Sequence, residues 1–199
     1  MRSAAAHADE LTALQRATDA EVAALACHGQ MVLQAATTPT RRELLMLDPV
    51  TGADKAVPVQ WDSALELRIL STRSRPCGYW LAASEAAAAQ RLRELGIQVE
   101  TLSAPRELAA QAWVAVARLE MARPDVLGTV ADGQRDIVRV EVDLVPRQLT
   151  APAGSFYVTL DQPLANLAAA VFEPDTQNSW FANRLLPSLG LALRVVERP

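Results

Sequence analysis

The segment from residue 138 to 144 constrains the fold of this chain more than any other. Apolar side chains alternate there with Arg139, Glu141 and Asp143, and the apolar set is Val138, Val140, Val142 and Leu144. Successive side chains of a β-strand point to opposite faces, so this pattern predicts a strand with one face in a core and the other in water. The fold must therefore contain a sheet that is covered on at least one side.

Shorter apolar runs between turn residues predict further strands. They cover residues 30–36, 43–47, 56–60, 64–70, 78–82 and 155–160. The Asp, Pro and Gly residues of 48–55 predict a hairpin turn between the second and third of these. Residues 105–121 leave helix and strand both open, because their alanines favour a helix while Trp113, Val114 and Val116 suit a strand. Residues 124–135 are predicted to form a loop.

Three helices are predicted from apolar residues at helical spacing. They cover residues 10–26 with Asp9 as N-cap, 84–95 with Ser84 as N-cap and Gly96 after the C-terminus, and 164–172 with Asp161 as N-cap and Pro174 as terminator. Residues 78–102 form a strand-helix-strand unit, whose strands would be parallel if they share a sheet. The sequence predicts one mixed α+β domain over residues 1–199, with a largely antiparallel sheet, three or four packed helices and a helical segment 1–28 at its periphery.

Composition limits the classes of partner. The formal net charge of -4 argues against nucleic acid, whose phosphates require clustered positive charge, and against an anionic membrane surface. Apolar runs are too short to span a bilayer, and Asp9 and Glu10 precede any apolar stretch that could serve as a signal peptide. Lys55 is the only lysine among 19 basic residues, which indicates a GC-rich and bacterial genome. We expect a soluble protein, and its compartment stays open.

A zinc site is the sharpest chemical hypothesis that local motifs offer. His7 and Glu10 form an H-x-x-E pattern, and His28 could supply a third ligand. Zinc needs its ligands about 2 Å from the metal in a fixed geometry. The motif lies at the start of a helix near the terminus, so an ordinary helix-start His and Glu is the favoured interpretation. We expect no metal and no cofactor in this chain.

Nucleophilic and acid-base sites are similarly incomplete. Ser155 follows Gly154 without a G-x-S-x-G elbow, and a Cys77–His28 pair lacks a third orienting group. Asp161 and Glu173 could act as paired carboxylates, but helix capping and a helix end explain them. We therefore expect no catalytic residue. Cys27 and Cys77 could form a disulfide or stay as two buried thiols.

Four tryptophans could form a stacking platform for a sugar or a peptide. They are Trp61, Trp80, Trp113 and Trp180. Tryptophans at such wide spacing are more often separate core residues, which is the favoured interpretation.

Two stretches resemble a known family. They are RPCGYWLAASEAAAAQRLRELGIQVETL at Arg75–Leu102 and APAGSFYVTLDQPLANLAAAVFEPDTQNSWFA at Ala151–Ala182, in which the D-Q-P-L-A-N-L motif and Glu173-Pro174 are the most specific parts. They are similar to the region that follows the catalytic domain in bacterial zinc metallocarboxypeptidases of the carboxypeptidase A type. The family's metal-binding residues have no counterpart here, because the spacing of His7, Glu10 and His28 differs from its pattern.

The resemblance implies a non-catalytic accessory domain or fragment that packs on a carboxypeptidase catalytic domain in cis and shapes access to it. Zinc is implied only for that absent catalytic domain, and a periplasmic or secreted location would suit the whole protein. A stand-alone peptide- or ligand-binding module with an exposed aromatic or sheet face is the alternative. A minimal metalloenzyme at His7, Glu10 and His28 is the third hypothesis.

Overall fold

A computed structural model describes residues 6–122, 136–176 and 178–199. It confirms a mixed α+β fold. The helices are α1 (Ala8–Ala24), α2 (Ala86–Glu94) and α3 (Ala165–Phe172). The strands are β1 (Gln30–Leu47), β2 (Asp54–Ser74), β3 (Gly78–Leu81), β4 (Glu100–Thr101), β5 (Arg106–Ala122), β6 (Asp136–Ala151), β7 (Phe156–Thr159) and β8 (Ala192–Val195). None of the described helices is long and apolar enough to cross a membrane.

The chain divides into two compact units. One comprises Met1–Met31 and Ser74–Pro199, and the other comprises Val32–Arg73. The second, which we call the ribbon unit, contains most of β1 and β2, which form a two-stranded sheet. Its turn is the predicted one: the Asp48 carboxylate accepts hydrogen bonds from the backbone N–H groups of Val50 and Thr51, at 2.9 and 3.0 Å. These bonds hold the pKa of Asp48 below its usual value. The single domain over residues 1–199 stays a prediction.

The larger unit contains a six-stranded sheet in the order β4-β7-β3-β8-β5-β6, in which every neighbouring pair is antiparallel. Since β3 and β4 both pair with β7, they run parallel to each other, as the strand-helix-strand unit predicts. The C-terminal strand β8 lies between β3 and β5, although no strand was predicted there. It therefore joins the two halves of the sheet.

Each face of the sheet has a hydrophobic core, because alternate residues of its strands point to opposite sides. Tyr79 and Leu81 of β3 belong to a cluster with α2 and α3, whereas Trp80 between them belongs to a second cluster with Tyr157 and Leu193. Val138 and Val140 of β6 are buried as their alternation predicts. Helix α1 contains no buried residue among those described, although Val22 packs against the first cluster.

The predicted helix N-caps are wrong. Helix α1 starts after His7, and α2 starts after Glu85, the last residue of a 3-10 turn at Ala83–Glu85. The side chains of His7 and Glu85 make no cap hydrogen bond. Helix α3 starts after Leu164, so Asp161 lies before the helix and not at its cap. Gly96, with φ +86°, follows α2 as predicted, and Glu173 just before Pro174 has extended backbone.

The predicted strands at 30–36 and 43–47 are parts of one continuous strand, β1, and those at 56–60 and 64–70 are parts of β2. Residues 105–121, left open between helix and strand, form most of β5. The long pairing of β5 with β6 makes this segment a strand and not a helix, because its alanines then occupy sheet positions beside a partner strand. The predicted loop at 124–135 lies outside the described residues.

Candidate functional site

The centre of the larger unit contains a fully buried ion pair. Glu173 and Arg194 are both 0% exposed, and Nε of Arg194 donates to Oε1 of Glu173 at 2.9 Å. Oη of Tyr79 donates to the same oxygen at 2.8 Å, and Nε1 of Trp113 donates to Oε2 at 3.3 Å. Both carboxylate oxygens thus have donors, which offsets much of the cost of removing this charge from water.

Strand register brings these groups together. Tyr79 of β3 and Gln111 of β5 lie on either side of Arg194 of β8, so the three residues form a row across the sheet. Nη1 of Arg194 donates to Oε1 of Gln111 at 2.6 Å, and Nη2 donates to the backbone oxygen of Ser74. Glu173 reaches this row from the C-terminal end of α3. The ion pair therefore fixes the end of the helix to three strands.

A second polar contact fixes the other end of the same segment. Gln162 is buried, and its Oε1 accepts a hydrogen bond from the backbone N–H of Gln98 at 2.7 Å. Its Nε2 donates to the backbone oxygens of Gln98 and Thr159. The connection from β7 to α3 is thereby bound to the loop that follows α2. The buried polar residues Gln162 and Glu173 thus contact the rest of the core.

Arg75 is a further charged side chain in the interior. It is 7% exposed, its backbone N–H donates to the oxygen of Gly29 at 3.1 Å, and its Nη2 donates to Oδ1 of Asn166 at 2.7 Å. Nε and Nη1 are buried and have no hydrogen-bond partner in the part of the chain that the structure describes. Burial lowers the pKa of Arg75 from its usual value.

The three residues of the zinc hypothesis do not come together. Nδ1 of His7 lies 3.1 Å from Oε2 of Glu10 on an exposed helix start. His28 follows the opposite end of α1, and a 17-residue helix is roughly 25 Å long. Within residues 6–122, 136–176 and 178–199, no group of three His, Cys, Asp or Glu residues could hold a metal ion. His7, Glu10 and His28 therefore do not share one zinc site in this structure.

The candidate nucleophiles have structural roles. Oγ of Ser155 donates to the backbone oxygen of Pro152 at 2.6 Å in the turn before β7. Cys77 forms a disulfide with Cys27, and this bond resolves the open choice between a bridge and two thiols. A Cys77 thiolate beside His28 is therefore absent in the oxidised protein.

The carboxylates of Asp161 and Glu173 do not act as a pair. Asp161 is exposed, and its Oδ2 lies 3.9 Å from Nη2 of Arg198. Glu173 is enclosed by the donors described above. Asp161 therefore faces solvent, whereas Glu173 lies in the core.

Three tryptophans are buried and do not form a shared exposed platform. Trp113 and Trp180 belong to the cluster with α2 and α3, and Trp80 belongs to the cluster on the other face. Trp61 is 40% exposed and lies in the ribbon unit, where the guanidinium carbon of Arg42 is 5.9 Å from its ring centroid.

The most exposed large apolar side chains among the described residues lie in the ribbon unit. Every second residue of one stretch of β2 is apolar and exposed, namely Leu65 at 96%, Leu67 at 56% and Ile69 at 61%. Residues near its turn add Leu45, Leu47 and Val50. No residue of this unit whose burial the structure describes is buried.

Sequence reasoning missed the polar interior. Neither Arg75 nor Arg194 is predicted from the sequence to be a buried residue. An available signal was the run L-A-L-R-V-V at residues 191–196, where a single arginine interrupts a strand-like apolar segment.

Comparison of the chain with models of known protein families, with curated proteins and with solved structures finds no match.

Proposed function

We propose that this chain is a non-catalytic accessory domain that packs on the catalytic domain of a zinc carboxypeptidase and shapes access to it. The resemblance of Arg75–Leu102 and Ala151–Ala182 to the region after such a domain supports the proposal. The use of Gln162 and Glu173 as core contacts fits a segment that was selected for folding and not for chemistry.

The exposed apolar side chains of the ribbon unit are the observation that carries the proposal. An isolated two-stranded sheet is marginally stable in water, and large exposed apolar patches usually mark interaction surfaces. Leu65, Leu67 and Ile69 stand at alternate positions of β2, so they share one face of the ribbon. A folded partner that covers this face would remove these side chains from water. Strand β1 has a contour length of roughly 60 Å, enough to extend over a neighbouring domain.

A binding measurement tests the proposal. The full chain is titrated, by biolayer interferometry, against a carboxypeptidase A-type catalytic domain expressed without its own C-terminal region. We expect saturable binding by the natural chain and a loss of at least about tenfold in affinity for the triple variant L65S/L67S/I69S, since each leucine or isoleucine contributes burial energy at an interface. Circular dichroism verifies that the larger unit keeps its fold.

The matched control changes a residue that lies between these positions on the same strand. R68S alters a side chain on the opposite face, leaves the 2.6 Å ion pair of Glu66 with Arg42 in place, and should bind like the natural chain. Absence of binding by the natural chain, or equal binding by L65S/L67S/I69S, contradicts the proposal. Chelator-sensitive release of C-terminal residues by the isolated chain would contradict its non-catalytic part.

The alternative function is a stand-alone peptide-binding module that uses the ribbon's sheet face. The half-exposed Trp61, flanked by Arg42, favours it. Such a module would bind short unstructured peptides as tightly as a folded domain, and W61A would weaken that binding. Binding restricted to the folded catalytic domain would exclude this alternative.

A further inference from the structure

Arg75 is a buried cation without a buried anion beside it. Among the side chains that the structure describes, the buried charged ones are Arg75, Glu173 and Arg194. Glu173 pairs with Arg194 at 2.9 Å, so the negative charge of this set already has its partner. Nη2 of Arg75 donates to the neutral amide of Asn166, and its Nε and Nη1 have no hydrogen-bond partner in the described chain. An unpaired buried charge is strongly unfavourable, so the site is electrostatically incomplete.

The position of Arg75 adds a second reason to expect an anion. Asn166, its hydrogen-bond partner, is the second residue of α3 and is itself exposed, so the guanidinium lies close beneath the surface at the first turn of the helix. The N-terminus of a helix carries partial positive charge and unpaired backbone N–H groups, which disfavour a cation and attract an anion. The residue before this helix, Leu164, offers no side-chain cap. Both the helix and the arginine would be stabilised by the same bound anion.

We propose that Arg75 and the first turn of α3 bind a small oxyanion, a carboxylate or a phosphate group. The oxygens of such a group accept hydrogen bonds from the unpartnered nitrogens of Arg75, whose planar guanidinium suits oxygen acceptors better than a monatomic ion. The burial of Arg75 restricts the ligand to a small group that enters beside Asn166. Both Arg75 and α3 belong to the larger unit.

Thermal unfolding of the full chain tests the site with inorganic phosphate and with acetate, each from 0 to 100 mM, with sodium chloride holding ionic strength constant. For a site with a Kd of about 10 mM, we expect Tm to rise by roughly 3 to 6 °C over this range. Phosphate also stabilises proteins by exclusion from their surface, so the variant comparison decides the result. Arg75→Met should remove most of the increase, whereas Arg198→Met, at an exposed arginine, should keep it.

A second variant keeps the test decisive if Arg75→Met does not fold. Asn166→Asp places a carboxylate beside Nη2 of Arg75 and should abolish the response to added oxyanion, because the anion is then part of the chain. The two titrations also distinguish a carboxylate from a phosphate ligand. The anion that gives half of its Tm increase at the lower concentration, acetate or phosphate, is the better ligand of the site. An equal increase in Arg75→Met or an undiminished response in Asn166→Asp overturns the proposal.

Discussion

The carboxylate of Glu173 is completely enclosed by protein. Three hydrogen-bond donors, one from each of three strands, stabilise its charge there. Tyr79, Trp113 and Arg194 supply them. Tyr79 also stacks on Phe172, with ring centroids 4.7 Å apart, so the hydrogen-bonded group is embedded in aromatic packing. A buried ion pair of this kind contributes little net stability when intact, but its disruption leaves an uncompensated charge.

Substitution of Glu173 by glutamine should therefore destabilise the fold strongly. Glu173→Gln keeps the size of the side chain but leaves Arg194 charged and buried, and we expect a loss of about 3 to 5 kcal/mol in the free energy of unfolding. Urea denaturation followed by tryptophan fluorescence measures it. Glu100→Gln is the matched control, because it breaks the partly exposed Glu100–Arg106 pair and should cost about 1 kcal/mol or less. Equal losses in the two variants would contradict the assigned role of Glu173.

At the scale of elements, β3 is short but enters both cores and pairs on both sides. It is hydrogen-bonded to β7 and to β8, and its four residues are all buried. Gly78 begins this strand, where the ring of Tyr157 packs directly against its backbone. A Cβ at residue 78 would lie 2.5 Å from the backbone oxygen of Val158 and 2.6 Å from Oη of Tyr157. The close approach of β3 to β7 therefore requires glycine at this position.

Gly78→Ala should destabilise the larger unit. Neither the Val158 backbone nor the buried Tyr157 can move without repacking, so we expect a loss of about 2 to 3 kcal/mol, as for other overpacked interiors. Thermal unfolding by near-UV circular dichroism measures it. Gly190→Ala is the control, because the nearest atom to its added Cβ is 3.8 Å away. A Gly78→Ala protein as stable as Gly190→Ala would show that the strand tolerates the extra methyl group.

At the scale of the whole molecule, one covalent bond spans the segment that contains the ribbon unit. The Cys27–Cys77 disulfide links residues 50 positions apart, and residues 32–73 lie between them in sequence. The backbone N–H of Cys27 also donates to the oxygen of Pro76 at 3.1 Å. Disulfides persist in oxidising surroundings, so this bond should open when a reductant is added.

Removal of the disulfide should lower the free energy of unfolding, because the unfolded chain gains conformational entropy. A closed loop of this length restricts the unfolded chain by about 4 kcal/mol in the chain-entropy model, and C27A/C77A should lose up to that amount. Urea denaturation of the natural chain, with and without reductant, is compared with that of the variant. The reductant should reproduce the loss in the natural chain and have no effect on C27A/C77A. A variant as stable as the oxidised natural chain would contradict this prediction.

The sequence alone determined the elements with strong local signals. The alternation at residues 138–144, the turn after Asp48, the strand-helix-strand unit and the stop at Pro174 all appear as predicted, because each depends on neighbouring residues. Only the tertiary structure decided the rest. Residues 105–121 became a strand through pairing with β6, and Arg194 became a core residue because β8 enters the middle of the sheet. Strand order brings Tyr79, Glu173 and Arg194 together across more than a hundred residues of sequence. It also leaves two nitrogens of the buried Arg75 without a hydrogen-bond partner among the described residues. Such contacts depend on which distant segments meet, and no local pattern of residue types encodes that.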